Sequence, residues 1–444
     1  MKRSAWRYLW AAKDIRRKLL ITLGLLTIYR FAAHVPVPGA NPDVISSIIN
    51  AGGAQSTFLG ILNMLSGGTV SNFSVLAMGV YPYITAQIIL QLLVPIIPAL
   101  QKRMEEDPRE GQKWMEKWTL LLAIPMAALQ AIGQINLFSS FAGQPVISDF
   151  NLRTNFVPSI TVVLAMTAGT MFAIWLGELI SEFGIRNQGL SLIIFAGIVS
   201  QIPQNFVRLW ADEQNRLITI PVLLAIMILT IFAIVFVQQG RRNIPVMYPG
   251  RRVGNRMSMP VKGTLPLMVN MAGMIPLIFA QSLLTFPAIL ASFFAASTIP
   301  AVQSLSKSIQ SLFGGESNFY YVMYFLMVVA FTFFYTNVLF AQQNYGENLK
   351  RVGAQIPGVS RGAPTQKYLN RVLSRITLPG ALFLGFIAIL PWLLGLILPL
   401  GQTRNVLFIS SAGLLIVVGV VRDTFFNIEA ELKLHGYDEA LLVR

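Results

Sequence analysis

The sequence predicts an all-α, polytopic membrane protein: ten transmembrane helices in two inverted, pseudo-symmetric halves of five. Three observations predict it. Apolar runs long enough to cross a bilayer recur along the 444 residues, of which 54% are hydrophobic and only 12% charged, about half the charged share of a soluble chain. The basic residues gather on alternate connections between those runs. A nine-residue pattern occurs twice, five spans apart.

The runs place spans at 19–36, 74–97, 118–138, 156–180, 190–210, 217–238, 265–292, 319–341, 376–399 and 405–428. The opening stretch, MKRSAWRYLWAAKDIRRKLL, has the basic residues of a signal peptide. No small-residue cleavage site precedes Pro36 and Pro38, so the first run is expected to stay as span 1. An even number of spans puts both termini on one side of the membrane. Of the 34 Lys and Arg, 28 fall on that side. Five fall on the other (Arg153, Arg208, Arg216, Lys307 and Arg404), and Arg30 lies within span 1. The positive-inside rule then makes both termini cytoplasmic. The halves divide as 1–212 and 213–444.

The net charge of +15 is concentrated in two cytoplasmic loops. Loop 239–264 carries Arg241, Arg242, Arg251, Arg252, Arg256 and Lys262 with no acidic residue. Loop 342–375 carries Lys350, Arg351, Arg361, Lys367, Arg371 and Arg375 against the single acid Glu347. Loop 98–117, by contrast, is balanced. Gly and Pro punctuate both basic loops, which predicts ordered turns. Two uses fit this charge. It can fix topology and attract anionic lipid, or it can dock a large anionic partner such as nucleic acid, a ribosome or an acidic protein.

The repeat aligns Gly79-Val80-Tyr81-Pro82-Tyr83-Ile84-Thr85-Ala86-Gln87 in span 2 with Gly273-Met274-Ile275-Pro276-Leu277-Ile278-Phe279-Ala280-Gln281 in span 7. The shared pattern is G-x-x-P-x-I-x-A-Q. Five spans is an odd number, so the second half must be inverted relative to the first. Gly and Pro within an apolar run predict bent, movable helices. Gln87, Gln91, Gln281 and Ser282 are then candidates for weak polar contacts across a seam between them.

Much chemistry is missing. There are no cysteines, and His34 and His435 are the only histidines. Thiolate sites, disulfides and multi-histidine metal sites are therefore excluded or disfavoured. No G-x-x-x-x-G-K-[ST] and no H-E-x-x-H occurs. Ionisable groups inside spans are scarce, with Arg30 in span 1 and Glu178 near the end of span 4, and the usual ion-coupled carrier keeps such groups at mid-membrane. What remains is a passage with an apolar centre and an external energy source. The alternative is an inverted-repeat secondary transporter of small molecules.

Several stretches resemble the SecY family, the channel subunits of the bacterial protein-conducting translocon. They are VPVPG (35–39), NMLSGG (63–68), YPYITAQIILQLL (81–93), GTMFAIWLGELISEFGI (169–185), SLIIFAGIV (191–199), VNMAGMIPLIFAQSLL (269–284), FFYTNVLF (333–340) and LLIVVGVV (414–421). The resemblance implies a channel, not an enzyme, with no cofactor, in the bacterial cytoplasmic membrane. Its substrates would be signal sequences and unfolded preproteins, with apolar segments released into membrane lipid. It implies a plug over about 58–73, including Phe58, Ile61, Leu62, Asn63, Met64, Leu65, Ser66, Gly67 and Gly68. It implies a pore ring of Val80, Ile84, Leu190, Ile194, Ile278 and Ile416, and a lateral gate of spans 2 and 7 carrying Gln87, Gln91, Gln281 and Ser282. Arg241, Arg242, Arg251, Arg252, Arg256, Lys350, Arg351, Arg361 and Lys367 would dock the SecA ATPase or the ribosome. SecE and a SecG-type subunit would be the companion chains. The chain departs from the family's usual G-I-R-P-G at Gly358-Val359-Ser360-Arg361-Gly362, and from G-I-G-N-G at 184–189, which has one residue more.

Overall fold

Long apolar stretches with few turn residues give long helices, and the described residues are mostly helical. The computed structural model describes residues 13–41, 44, 66, 69–70, 73–106, 108–148, 150–151, 154–211, 216–249, 252–253, 256–257, 261–294, 299–313, 317–343, 345–397 and 403–434. In the first half the helices are α1 (Lys13–Ala32), α2 (Tyr81–Ile96), α3 (Pro98–Glu106), α4 (Pro108–Ala142), α5 (Phe156–Phe183) and α6 (Gly189–Ala211). After α7 (Arg216–Gln239) come strands β1 (Arg241–Tyr248), β2 (Arg252–Val253), β3 (Arg256–Met257) and β4 (Val261–Met268). The chain then runs through α8 (Ile275–Ser292), α9 (Pro300–Phe313), α10 (Asn318–Gln343), α11 (Tyr345–Arg351), α12 (Ala363–Ile397) and α13 (Thr403–Leu434).

Each predicted span falls on a helix: α1, α2, α4, α5, α6, α7, α8, α10, α12 and α13 in order. Among the described residues six stretches, within α4, α5, α7, α8, α10–α11 and α12, are long and apolar enough to cross a bilayer, and α2 and α6 hold shorter apolar stretches. Neighbour relations repeat between the halves. α2 packs on α4 as α8 packs on α10, α4 on α5 as α10 on α12, and α5 on α6 as α12 on α13. The halves meet where α2 and α4 touch α8, and again where α6 touches α7 and α13. The degree of enclosure differs sharply. α8 buries 13 of its 18 residues, whereas α7 leaves Leu224, Ile228, Leu229, Phe232 and Phe236 exposed, as a lipid-facing helix does.

The structure corrects two boundaries, with one physical cause. Span 2 was expected from residue 74 and span 7 from residue 265, each with Gly and Pro bending its middle. Instead α2 starts at Tyr81 and α8 at Ile275, so both motifs stand at helix starts. Pro82 and Pro276 occupy the first turn, where the missing N–H has no intrahelical partner to lose. Gly79 and Gly273 just precede the helices with φ of +51° and +64°, a region that glycine enters without steric cost. The motif is thus a helix-start signal used twice, and the bends expected from it are absent. α2 has 16 residues and α8 has 18, so they rise about 24 and 27 Å, against about 30 Å of hydrocarbon.

Loop 239–264 was expected to hold turns, and it forms an antiparallel hairpin. β1 pairs with β4 from Arg241↔Met268 to Tyr248↔Val261. Ile244 and Val246 are buried at alternate positions of β1, the period of a half-buried strand. The apolar Leu265 and Leu267, expected at the start of span 7, belong to β4. The second basic loop joins this hairpin. Met247 and Gln355 exchange both backbone hydrogen bonds, at 2.8 and 2.9 Å. Ile244, Val246, Leu267, Phe340, Leu349, Ile356, Leu369 and Leu373 share a small apolar core beneath. The two basic loops therefore make one folded platform. The segment at 184–188 accommodates its additional residue in a turn, with Asn187 left-handed at φ +57°. The Arg186 carbonyl accepts a hydrogen bond from Asn427 of α13.

Candidate functional site

The site lies where α2 and α8 begin. Non-helical backbone at membrane depth survives only inside protein or beside a water-filled space. Residues 74–81 satisfy theirs by successive tight turns: Ala77 N–H to Ser74 O at 2.8 Å, Gly79 N–H to Leu76 O at 2.7 Å and Tyr81 N–H to Met78 O at 3.1 Å. On the α8 side the Asn270 side-chain amide donates to the Gly273 carbonyl at 3.1 Å.

Around these two starts sits one apolar cluster drawn from both halves. It contains Val80, Ile84, Ile194, Ile278 and Ile416, and Leu190 packs against it. Val80 and Ile416 are each 1% exposed, and Ile84 and Ile278 are nearly as enclosed. Leu190 is half-buried and lies against Gly177 of α5, at the margin of the cluster.

Of the nine plug residues named above only Ser66 is described, and of the wider segment Thr69, Val70 and Phe73; Phe58, Ile61, Leu62, Asn63, Met64, Leu65, Gly67 and Gly68 lie outside the described residues. Ser66 is buried, and its carbonyl accepts hydrogen bonds from Tyr29 of α1 and from the Thr69 hydroxyl, both at 3.0 Å. Its backbone rests directly on Gly79. A Cβ at Gly79 would stand 2.8 Å from Ser66 Cα and nearer still to its carbonyl oxygen. The chain then returns to α2 along the VPVPG segment. Val37 N–H donates to Phe73 O at 3.0 Å and Val75 N–H to Val35 O at 2.9 Å. Phe73 is fully buried against Phe138 at φ +40°. This backbone conformation costs a non-glycine residue on the order of 1–2 kcal/mol, so packing holds the segment in place.

Hydrogen bonds join the helices of the two halves. Tyr81 of α2 donates its hydroxyl to the Ser282 carbonyl at 3.1 Å and sits 2.6 Å from the Thr285 hydroxyl of α8. Behind it the Gln130 amide of α4 donates to Thr85 of α2 at 3.2 Å. Farther along, Ser292 of α8 donates to the Gly133 carbonyl of α4 at 3.0 Å. Among the four seam residues expected from sequence, Ser282 takes part through its carbonyl. The side chains of Gln87, Gln91 and Gln281 show no hydrogen bond across the seam among the described residues. Sequence reasoning missed Tyr81, Thr85, Thr285 and Gln130. Tyr81 and Thr85 lie inside the repeat itself, one helical turn apart, and that was the available signal. A small cavity lies between the seam and Ser66, lined by Met78, Tyr81, Gln130, Gln134, Leu137 and Ile289 among others.

Replacing Tyr81 by Phe keeps the ring's packing and removes both contacts to α8. The closed seam should weaken by about 0.6–2 kcal/mol. Precursors with shortened apolar signal segments should then enter several-fold faster, measured as the rate of protease protection in vesicles.

On the platform Arg241, Arg242, Lys262, Lys350, Arg351, Arg361 and Lys367 are exposed. Glu347 approaches Lys350 and Arg351 only at 3.9 Å, with all three side chains solvated, and such pairs hold little charge in place. Arg251 lies outside the described residues, and Arg252 and Arg256 are described by their backbone alone, in β2 and β3.

Two sets of helices with matching neighbour relations, short helices starting against one buried apolar cluster, and a hydrogen-bonded seam between them make up a multi-pass helical membrane protein. The comparisons with known proteins agree. The SecY family model matches residues 74–425. A protein translocase subunit SecY of Streptomyces scabiei is 36% identical over 436 residues, covering 96% of each chain. One of Mycobacterium bovis is 38% identical over 434 residues, again covering 96% of each. Three solved structures share the fold. "The structure of a protein conducting channel" has a TM-score of 0.63 at 17% identity, covering 98% of this chain and 99% of that one. A SecY studied for the plug that stabilises its closed state has 0.62 at 19%, covering 95% and 94%. A Sec61 in a canine ribosome–channel complex has 0.59 at 18%, covering 95% and 94%. The chain belongs to the SecY family. Membership makes it a subunit of a protein-conducting channel and not an enzyme, and the small-molecule transporter alternative finds no support.

Proposed function

We propose that unfolded secretory polypeptides thread through the apolar cluster at the starts of α2 and α8, and that apolar segments leave sideways between α2 and α8 into lipid. The observation that carries this reading is the paired helix starts: two short helices, one from each half, begin against a single buried apolar cluster. A narrow apolar collar excludes ions and water, yet holds no passing side chain tightly. Val80, Ile84, Ile194, Ile278 and Ile416 form that collar, with Leu190 at its edge. The segment around Ser66 is the plug and Gly79 its seat. The Tyr81–Thr285 contact latches the gate.

The chain crosses the bacterial cytoplasmic membrane ten times, in halves 1–212 and 213–444, with both termini in the cytoplasm; the lopsided distribution of Lys and Arg supports this orientation. The basic platform receives the ribosome or the SecA ATPase, through Arg241, Arg242, Arg251, Arg252, Arg256, Lys350, Arg351, Arg361 and Lys367. SecE and a SecG-type subunit complete the complex. Ribosome docking draws support from the structural neighbour seen in a ribosome–channel complex.

Reconstitution in sealed vesicles with SecE and SecA tests the reading. Addition of ATP should give protease-protected accumulation of a secretory precursor. Uptake of small solutes without precursor import would contradict it.

A further inference from the structure

We infer that α9 is an interfacial helix, with one apolar edge lying in lipid on the membrane face opposite the hairpin. The inference rests on the proposed function only in that α8 crosses the bilayer from the hairpin side.

α9 reads PAVQSLSKSIQSLF. At about 100° per residue, Ala301, Val302, Leu305, Ile309, Leu312 and Phe313 share one side, and Gln303, Ser304, Lys307 and Ser311 lie opposite. The side held against the protein overlaps only part of the apolar side: Val302, Ile309 and Phe313 are half-buried, whereas Ala301, Leu305 and Leu312 are exposed. Ser306 is buried, 3% exposed, and donates its hydroxyl to the Ala291 carbonyl of α8 at 2.6 Å. Phe313 meets Phe319 of α10 edge-on, with ring centres 6.1 Å apart. Ser306 points roughly 80° away from the middle of the apolar side. α9 therefore buries a serine and leaves Leu305 62% and Leu312 40% exposed. In water a turn about its axis would cover both leucines and free the serine, at a gain in buried apolar area. The orientation is stable if the free apolar edge meets a medium that is itself apolar.

Lipid is the occupant that the surroundings favour. The chain reaches α9 from Phe294 and Ile299, both exposed just beyond α8, and leaves it for Phe319 and Val322, both exposed at the start of α10. The bare edge thus continues the outward surface of two spanning helices. Lys307, on the polar side and exposed, is placed to reach headgroup phosphates while its stem lies along the boundary.

The absence of cysteine makes the test clean. Leu305→Cys, Leu312→Cys, Ser304→Cys and Ser311→Cys each give a unique attachment point for a nitroxide. All four positions are exposed, so the label displaces no packed side chain. The full chain, in complex with its companion subunits, is placed in vesicles of phosphatidylethanolamine and phosphatidylglycerol. Labels at 305 and 312 should be relaxed by oxygen and shielded from a water-soluble nickel chelate, with the reverse at 304 and 311. The ratio of the two accessibilities should differ several-fold between the edges. Equal access of the chelate to both edges would overturn the inference by showing water at the leucines. Exclusion of both reagents from 305 and 312 would also overturn it, by showing a protein surface there.

Discussion

Replacing Ile278 by Asn is expected to raise ion leakage through the idle channel on the order of ten- to a hundredfold, while precursor export continues. Ile278 is 6% exposed within an apolar cluster drawn from both halves. The collar proposed for this cluster would resist ions because an ion there loses its water and meets no dipole. An amide in the collar replaces part of that hydration. Desolvating an amide-sized polar group is worth about 1–3 kcal/mol in protein interiors, and each 1.4 kcal/mol removed from a barrier is about tenfold in rate. Export should persist because a threaded chain needs the collar to yield, not to bind. Ile84→Asn should act in the same direction, whereas Phe232→Asn on the exposed face of α7 should leave conductance unchanged. The measurement is single-channel current, or dye release from vesicles, without precursor.

Gly79→Ala is expected to unseat the segment at Ser66 and give a channel that is leaky and less selective for signal sequences. Two costs add. A left-handed backbone at φ +51° costs alanine about 1–2 kcal/mol. The new Cβ would also stand 2.8 Å from Ser66 Cα, too close for either backbone to stay. Together they reduce the seated population by at least about tenfold. Gly273, the counterpart in the other half, has a similar φ of +64°, but a Cβ there would meet no atom within 4 Å. Gly273→Ala should therefore carry the backbone cost alone and leave closure nearly intact. Comparing the two variants by ion leakage and by import of a signal-defective precursor separates seat from strain. Equal phenotypes would remove the seat.

The bundle is legible in the sequence because hydropathy is a property of single residues, and long apolar runs admit few structures besides membrane helices. The repeat is legible because both halves keep the same residues at the same turn. Its meaning is not. A proline in the first turn and a proline at a bend look alike in an apolar run, and only the backbone shows that Tyr81 and Ile275 begin helices. The hairpin is hidden because Leu265 and Leu267 extend the apolar run of span 7 without a break. Joining the two basic loops depends on Met247 pairing with Gln355, a contact between residues more than a hundred positions apart that no local pattern encodes. At the seam, residue type alone favours glutamine over tyrosine and threonine. Which polar residues face one another depends on the relative rotation of α2 and α8, and composition does not carry that.

The path proposed for the polypeptide runs between Ile84 and Ile278. With no native cysteine in the chain, Ile278→Cys supplies a single thiol at that point. A precursor bearing one cysteine, arrested midway by a folded C-terminal domain, is then oxidised in place. A disulfide between the precursor and residue 278, with none to Phe232→Cys on the outer face of α7, is the predicted result. Crosslinking at 232 with residue 278 left free would place the path outside the cluster and contradict the account.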